Sequence, residues 1–184
     1  VLNVEKKVKN KTFFDRFYPT YVYPDVESIP YDLILGQNIK LIIFDMDNTL
    51  VDNKYKYTEK LKKWAEYIAS QGVKLHILSN STMGKKVKKV AKDLGMKYHY
   101  NASKPFKRGF KKVFEEMKIP KENILMVGDQ MFTDVWGGNR FGVKTALVCP
   151  IAKEEILITK VKRPLERWIL KKYYKREMEK NKYD

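Results

Sequence analysis

The order of segments between residues 40 and 148 predicts an α/β fold built on a mostly parallel sheet. Three observations carry that expectation. Short apolar, β-branched runs recur at the length of strands buried on both faces. Between them, apolar residues repeat at helical spacing. Each run ends at glycine, proline or a capping residue. A strand–helix–strand rhythm of this kind places helices on both faces of the sheet, giving three layers.

The elements follow in order. Lys40 to Asp45 is a short buried-strand pattern. Leu61, Trp64, Ala65 and Ile68 form one helical face, with Thr58 as N-cap and Gly72 as stop. Val73 to Leu78 reads as a second strand. Val87, Val90, Ala91 and Leu94 make the next helical face, ended by Gly95, and Lys97 to Tyr100 a weaker strand. Phe110, Val113, Phe114 and Met117 form another helix, and Pro120 opens the turn after it. Ile124 to Val127 is a strand that stops at Gly128-Asp129. A short helix over about 132–141 leads to a last strand, Val143 to Val148. The flanks differ. Residues 11–30 carry Phe13, Phe14, Phe17, Tyr18, Tyr21 and Tyr23 with no clear period, and a basic helix is expected from about residue 160, opening at Pro164. These read as an aromatic N-terminal extension (about 1–38) and a C-terminal helix (about 160–184) on a single domain spanning 1–184.

Composition narrows the class. The chain has 184 residues, 43% hydrophobic and 33% charged, enough to bury a core despite its charge. No apolar run reaches the roughly 20 residues of a membrane-spanning helix, and Val1 to Asn10 offers no secretory h-region. The one cysteine, Cys149, suits a reducing compartment, and with two histidines it excludes a zinc finger or ribbon. Cytoplasmic location is the expectation. Thirty-eight Lys+Arg against 22 Asp+Glu give a net charge of +16, a field that draws anionic partners such as nucleic acid, acidic lipid or a phosphorylated substrate.

In parallel α/β sheets, ligands sit outside the carboxyl ends of the strands. Asp45 and Asp47 end the first strand, and alternate residues of an extended segment face the same way. Ser79 and Asn80 end the second, Lys104 follows the third, and Asp129 ends the fourth with Asp134 five residues on. Carboxylates, a hydroxyl and a lysine at successive strand ends fit phosphoryl transfer through an aspartyl phosphate. One carboxylate attacks phosphorus and a second moves the proton. A Mg²⁺ ion would let two anions approach, while the hydroxyl and lysine hold the charge of the transferring group. Strand-end turns or caps would account for Asp52, Asn53 and Asn80. They would not explain two carboxylates at the mouth of a buried strand. His76 and His99, inside strand patterns, read as structural, and Cys149 as a spectator.

Asp45-x-Asp47-x-Thr49, Ser79, Lys104 and Gly128-Asp129-x4-Asp134 resemble, in order, the four motifs of the haloacid-dehalogenase (HAD) superfamily. The resemblance implies a HAD-like Rossmannoid fold with Asp45 as nucleophile and Asp47 as general acid/base, its main-chain carbonyl also on Mg²⁺. It implies Ser79 and Lys104 on the phosphate and Asp129 on the metal. Asp134 would be a water-mediated ligand or a partner of Lys104, and Thr49 would orient Asp47, with Asn48 and Asn80 in support. Thr49 to Ser79 spans 30 residues and Ser79 to Lys104 spans 25, too few for the cap domain of about 50 or more residues that closes many such sites. A capless site open to solvent, partly covered by a flap over 51–57, points to a large or membrane-resident substrate. Arg163, Arg167, Trp168, Lys171 and Lys172 on the C-terminal helix fit an acidic membrane surface. The alternative is that both flanks pack on the sheet and shield its edge.

Phe44 to Leu50, Lys104-Pro105, Gly128 to Asp134 and Gly137 to Arg140 are similar to the YqeG-like, subfamily IIIA branch, related to phosphatidylglycerophosphate phosphatases. That likeness implies a Mg²⁺-dependent phosphatase releasing phosphatidylglycerol, peripheral at the inner membrane face. Two other readings stay open: a phosphatase of soluble phosphomonoesters or phosphoproteins, and a basic RNA- or ribosome-binding protein on the same scaffold.

Overall fold

The computed structural model describes residues 13–152 and 157–181, with backbone alone at 157–163, 177 and 179–181. The strands are β1 (Tyr21–Tyr23), β2 (Leu41–Phe44), β3 (Lys74–Leu78), β4 (Lys97–His99), β5 (Ile124–Gly128) and β6 (Lys144–Val148). Helices α1 (Tyr31–Gly36), α2 (Glu59–Ser70), α3 (Gly84–Asp93), α4 (Lys107–Met117), α5 (Trp136–Phe141) and α6 (Leu157–Asn181) surround them. One sheet in the order β1-β6-β5-β2-β3-β4 holds all six strands, every neighbouring pair parallel. The chain leaves β2 toward β3 and β4, then returns to β5 on the other side of β2. That reversal makes the β2/β5 boundary the switch point where a crevice opens.

Strand alternation divides the core. Ile42 and Phe44 face α2 and α3 with Leu61, Trp64, Ile68, Val87 and Val90. Leu41 and Ile43 face α4 and α5 with Phe110, Val113, Met117 and Phe141. Helix ends follow the sequence signals. The Thr58 hydroxyl accepts from Leu61 N at 2.9 Å, and Gly72 and Gly95 take positive φ just past α2 and α3. Between the first and second motifs lie only the flap, α2 and β3, and between the second and third only α3 and β4. The capless expectation holds.

The flanks correct the sequence reading in two places. Residues 11–30 hide a sixth strand: β1 lies beside β6, and Thr20 and Thr145 exchange backbone-to-hydroxyl hydrogen bonds at 3.1 and 3.2 Å. Phe17, Tyr21 and Tyr23 are buried there. Three residues are too few to show an alternation. At the other end, α6 begins at Leu157 and carries Pro164 inside it rather than at its start. Proline forfeits one helical hydrogen bond at that point, and the buried stripe Glu166, Ile169, Tyr173 that follows holds the helix to the domain. Among the described residues, no helix is long and apolar enough to cross a membrane.

His76 lies fully buried in β3, its Nε2 2.9 Å from Nδ1 of His99 on β4. Burial first, then the charge of His99, pushes its pKa down to about 4. Glu116 opposes that shift and Lys97 adds to it. An unfolded histidine takes its proton near pH 6.5. Between about pH 6.5 and 4 the unfolded chain therefore binds a proton that the native protein refuses, and stability falls as pH falls. We expect unfolding free energy, from urea titrations in chelating buffer, to drop across this window by up to about 3 kcal/mol. His76→Leu should flatten the slope, and an unchanged slope would refute the assignment.

Candidate active site

The carboxyl ends of β2, β3 and β5 meet at one place. The β2–β5 ladder continues one residue past β2, because Asp45 N donates to Val127 O at 2.9 Å. That bond points the Asp45 side chain into the crevice beside β5. Opposite it, Lys104 reaches in between two carboxylates. Its Nζ lies 2.7 Å from Asp45 Oδ1 and 2.7 Å from Asp134 Oδ1, and its side chain is 1% exposed. Burial pulls the lysine pKa down, but Asp134 and then Asp45, by charge and hydrogen bonding, more than offset it and hold the proton above the ordinary lysine range. The Lys104 backbone is clamped in turn. Asn80 Oδ1 accepts from Lys104 N at 2.7 Å and Asn80 Nδ2 donates to Lys104 O at 3.0 Å. Asn80 is therefore more than the turn residue its position suggests.

Asp129 completes the cluster. Carboxylate oxygens of Asp45, Asp129 and Asp134 lie within 4.8 Å of one another, all three residues buried. Three hard oxygen donors at this spacing fit a small divalent cation such as Mg²⁺. The Asp134 carboxylate is also tied to Gln130 N at 3.1 Å through Oδ2. That bond spans the π-helical turn Met131–Val135, which follows Asp129 and Gln130.

Asp47 sits at the mouth, partly exposed, and its carboxylate is not part of the buried triad. Burial, then the charge of Asp45, raises its pKa to about 6, while Lys104 and Lys86 pull the other way. Its proton is thus held well above the usual carboxylate range. Thr49 does not orient Asp47: its hydroxyl donates to Asp129 Oδ1 at 3.3 Å. The turn after Asp47 carries it there, since Asn48 takes a left-handed φ of 64° and Thr49 N, Leu50 N and Val51 N all donate to Met46 O. Ser79 is fully buried, and its Oγ accepts from Ser81 N at 3.0 Å. The flap is a tight turn. Asp52 Oδ1 accepts from Lys54 N and Lys56 N, both at 2.8 Å, and the Tyr55 ring lies under Lys86 at the start of α3.

Burial grades across the site. Asp45, Ser79, Lys104, Asp129 and Asp134 are all buried, whereas Asp47 is partly exposed. The basic helix packs on the domain, as the second reading of the flanks has it. Buried Glu166 of α6 accepts from Met131 N at 3.2 Å. A groove of about 330 Å³ runs from Asp129 along Val22, Leu147, Val148 and Leu170, with Arg167 beside it. Glu166 was legible only as a polar residue in step with Ile169 and Tyr173. Arg167, Trp168, Lys171 and Lys172 are exposed, with Trp168 edge-on to Phe14 and Lys172 3.8 Å over Trp168. The Arg163 side chain lies outside the described residues.

Residues 1–152 match the protein family described as mitochondrial PGP phosphatase. The chain is 37% identical over 155 residues to the probable phosphatase YqeG of Bacillus subtilis (strain 168), covering 84% of this chain and 90% of that protein. It is 26% identical over 186 residues to phosphatidylglycerophosphate phosphatase 1, chloroplastic/mitochondrial, of Arabidopsis thaliana. That match covers 96% of this chain and 53% of the plant protein. Among solved structures, an uncharacterized protein from Listeria monocytogenes serotype 4b superposes with a TM-score of 0.51 at 25% identity, over 64% of this chain and 85% of that one.

One glycine has no room to change. A Cβ on Gly128 would lie 2.3 Å from Asp134 Oδ2, so a side chain there must push the carboxylate off Lys104. Gly128→Ala is expected to destabilise the fold by about 1–3 kcal/mol and to depress activity far more than that loss explains. Full activity in the folded variant would show that the Lys104–Asp134 contact is dispensable.

Proposed function

Because the chain belongs to the YqeG-like, HAD-type phosphatases, in the family described as mitochondrial PGP phosphatase, we propose that it cleaves a phosphomonoester by way of a phosphorylated Asp45. We read residues 1–184 as one such domain with its flanks. The observation that carries the reading is the buried Asp45 carboxylate held on Lys104 within a cluster of acidic oxygens.

In the first step an Asp45 oxygen bonds to phosphorus as the ester P–O bond breaks, and Asp47 gives its proton to the leaving oxygen. In the second step Asp47 takes a proton from water. The water oxygen bonds to phosphorus, the Asp45–phosphorus bond breaks, and inorganic phosphate leaves. A pKa near 6 suits Asp47 to both directions of transfer. The Lys104 ammonium stabilises the charge on the transferring oxygens, and the Ser79 hydroxyl donates to one of them. Asp134 and Asn80 act through Lys104, one on its charge and the other on its backbone. Thr49 fixes the rotation of Asp129. Asp45 and Asp129, with Asp134 and the Asp47 carbonyl beside them, would hold a Mg²⁺ ion, which when bound neutralises phosphate charge and makes phosphorus a better electrophile.

The substrate we propose is phosphatidylglycerophosphate, or a membrane lipid monoester of the same build. The family description and the name of the Arabidopsis relative support it. So does the groove beside Asp129, lined mainly by apolar side chains with Arg167 next to it. Exposed Lys171, Lys172 and Trp168 on α6 give a cationic face for an acidic leaflet, so the enzyme would work as a peripheral protein. Membership in a phosphatase family leaves the RNA-binding scaffold without support.

Asp45→Asn should abolish hydrolysis of p-nitrophenyl phosphate. Asp47→Asn should lower turnover by about 10²–10⁴-fold and accumulate protein heavier by one phosphoryl group in intact-mass spectra. Turnover by Asp45→Asn, or Asp47→Asn that never carries phosphate, would overturn the covalent route. Stripping divalent ions should stop phosphate release and Mg²⁺ should restore it.

For the substrate, phosphatidylglycerophosphate in anionic vesicles should be turned over in preference to soluble monoesters, and the protein should float with those vesicles. Absence of both sinks the lipid assignment while leaving the phosphatase intact.

A further inference from the structure

On the far side of Ser79 from the carboxylates, a second group of potential ligands lies between the edge of the sheet and α4. His76 on β3 and His99 on β4 are diagonal neighbours, since His99 pairs with Leu78 two residues along. Residues two apart on a strand share a face, so both rings stand on one side, stacked at 5.0 Å between centroids. Glu116 comes from the last turn of α4, with Oε2 3.8 Å from His99 Nε2. One donor atom from each of the three residues lies within 4.8 Å of the others.

We propose that His76, His99 and Glu116 form a binding site for a divalent transition metal, with zinc(II) the ion that best matches the ligands, separate from the carboxylate cluster. The donor set is the first reason. Two imidazoles and a carboxylate suit zinc, copper or nickel, whereas magnesium takes oxygen ligands. Spacing is the second. With bonds of about 2.0–2.1 Å in a tetrahedral site, neighbouring ligand atoms sit roughly 3.3 Å apart. His76 Nε2 and His99 Nδ1 are 2.9 Å apart, and one donor atom from each of the three residues lies within 4.8 Å of the others, so turning the Glu116 side chain toward the two rings is the adjustment that closes the site.

The histidine network is the third reason. His76 is completely buried, yet its ring meets a hydrogen-bond partner only at Nε2, which faces the other imidazole, and none at Nδ1 among the described residues. His99 and Glu116 are partly exposed, which gives an ion a way in and leaves a fourth position for water. Lys97 holds Glu116 Oε1 at 2.9 Å, but its stem is exposed and free to swing toward solvent. A metal here would join β3, β4 and α4. It would also fix the strand end that carries Ser79, whose N donates to His99 O at 3.0 Å.

The test uses the full chain, stripped by chelation and then kept in saturating Mg²⁺ so that oxygen sites are filled. Cobalt(II) is titrated in and the visible d–d absorption followed, then zinc(II) is added and the melting temperature recorded. We expect about one cobalt per chain, displaced by zinc, and a rise in melting temperature with zinc concentration. Even outer partners of a metal site cost 10–100-fold in affinity. His99→Gln and Glu116→Gln, both on partly exposed side chains, should therefore each weaken binding by at least ~10-fold. Asp129→Asn should leave the cobalt bands in place. Absence of bands, bands that survive both ligand variants, or bands lost in Asp129→Asn would each overturn the proposal.

Discussion

The ammonium of Lys104 between Asp45 and Asp134 is the constraint on which the rest of the site depends. Removing one partner from a buried ion pair leaves an uncompensated charge and costs about 3–5 kcal/mol, so the three groups are kept as a unit. They come from three parts of the chain: the end of β2, the loop before α4 and the π-helical turn after β5. Each is separately pinned, Asp45 by the β2–β5 ladder, Lys104 by Asn80, and Asp134 by Gln130 N. Gly128 leaves the space that Asp134 occupies. The same charge set that stabilises the cluster is available to stabilise a phosphoryl group, so fold and chemistry share one device.

Much of this was readable in the residues. A sheet buried on both faces writes its strands as continuous apolar runs, and the switch point follows from strand order. Asp45, Lys104, Asp129 and Asp134 therefore appeared at their positions, and they do converge. What stayed hidden was contact between side chains. Nothing in the order of residues says that Thr49 turns to Asp129 rather than to Asp47, because that depends on the left-handed turn at Asn48. Asn80 looked like a turn residue, yet it reads both backbone groups of Lys104. β1 was missed because three residues cannot display a period. Glu166 was missed because its step with Ile169 and Tyr173 marks a helix face but not what that face touches.

The described residues contain no inserted lid. The flap is short and braced by Asp52, and α6 lies against the π-helical turn through Glu166. A loop braced by its own side chain and a cationic helix are thus both tied to the domain by hydrogen bonds. The helix that shields the sheet is also the one whose outer face is charged. The residues that pack on the core and the exposed cationic residues lie on different sides of it, so the two readings of the flanks do not compete.

The pairing of β1 with β6 has a consequence for biogenesis. The two strands exchange hydrogen bonds between residues 125 apart in the chain. At a synthesis rate of about 5–20 residues per second, the aromatic segment around Tyr21 waits on the order of 6–25 seconds for its partner to leave the ribosome. During that interval Phe17, Tyr21 and Tyr23 are sticky nascent chain with no sheet to join. An edge strand made well before its only neighbour thus stays uncovered until the last strand of the sheet has been synthesised.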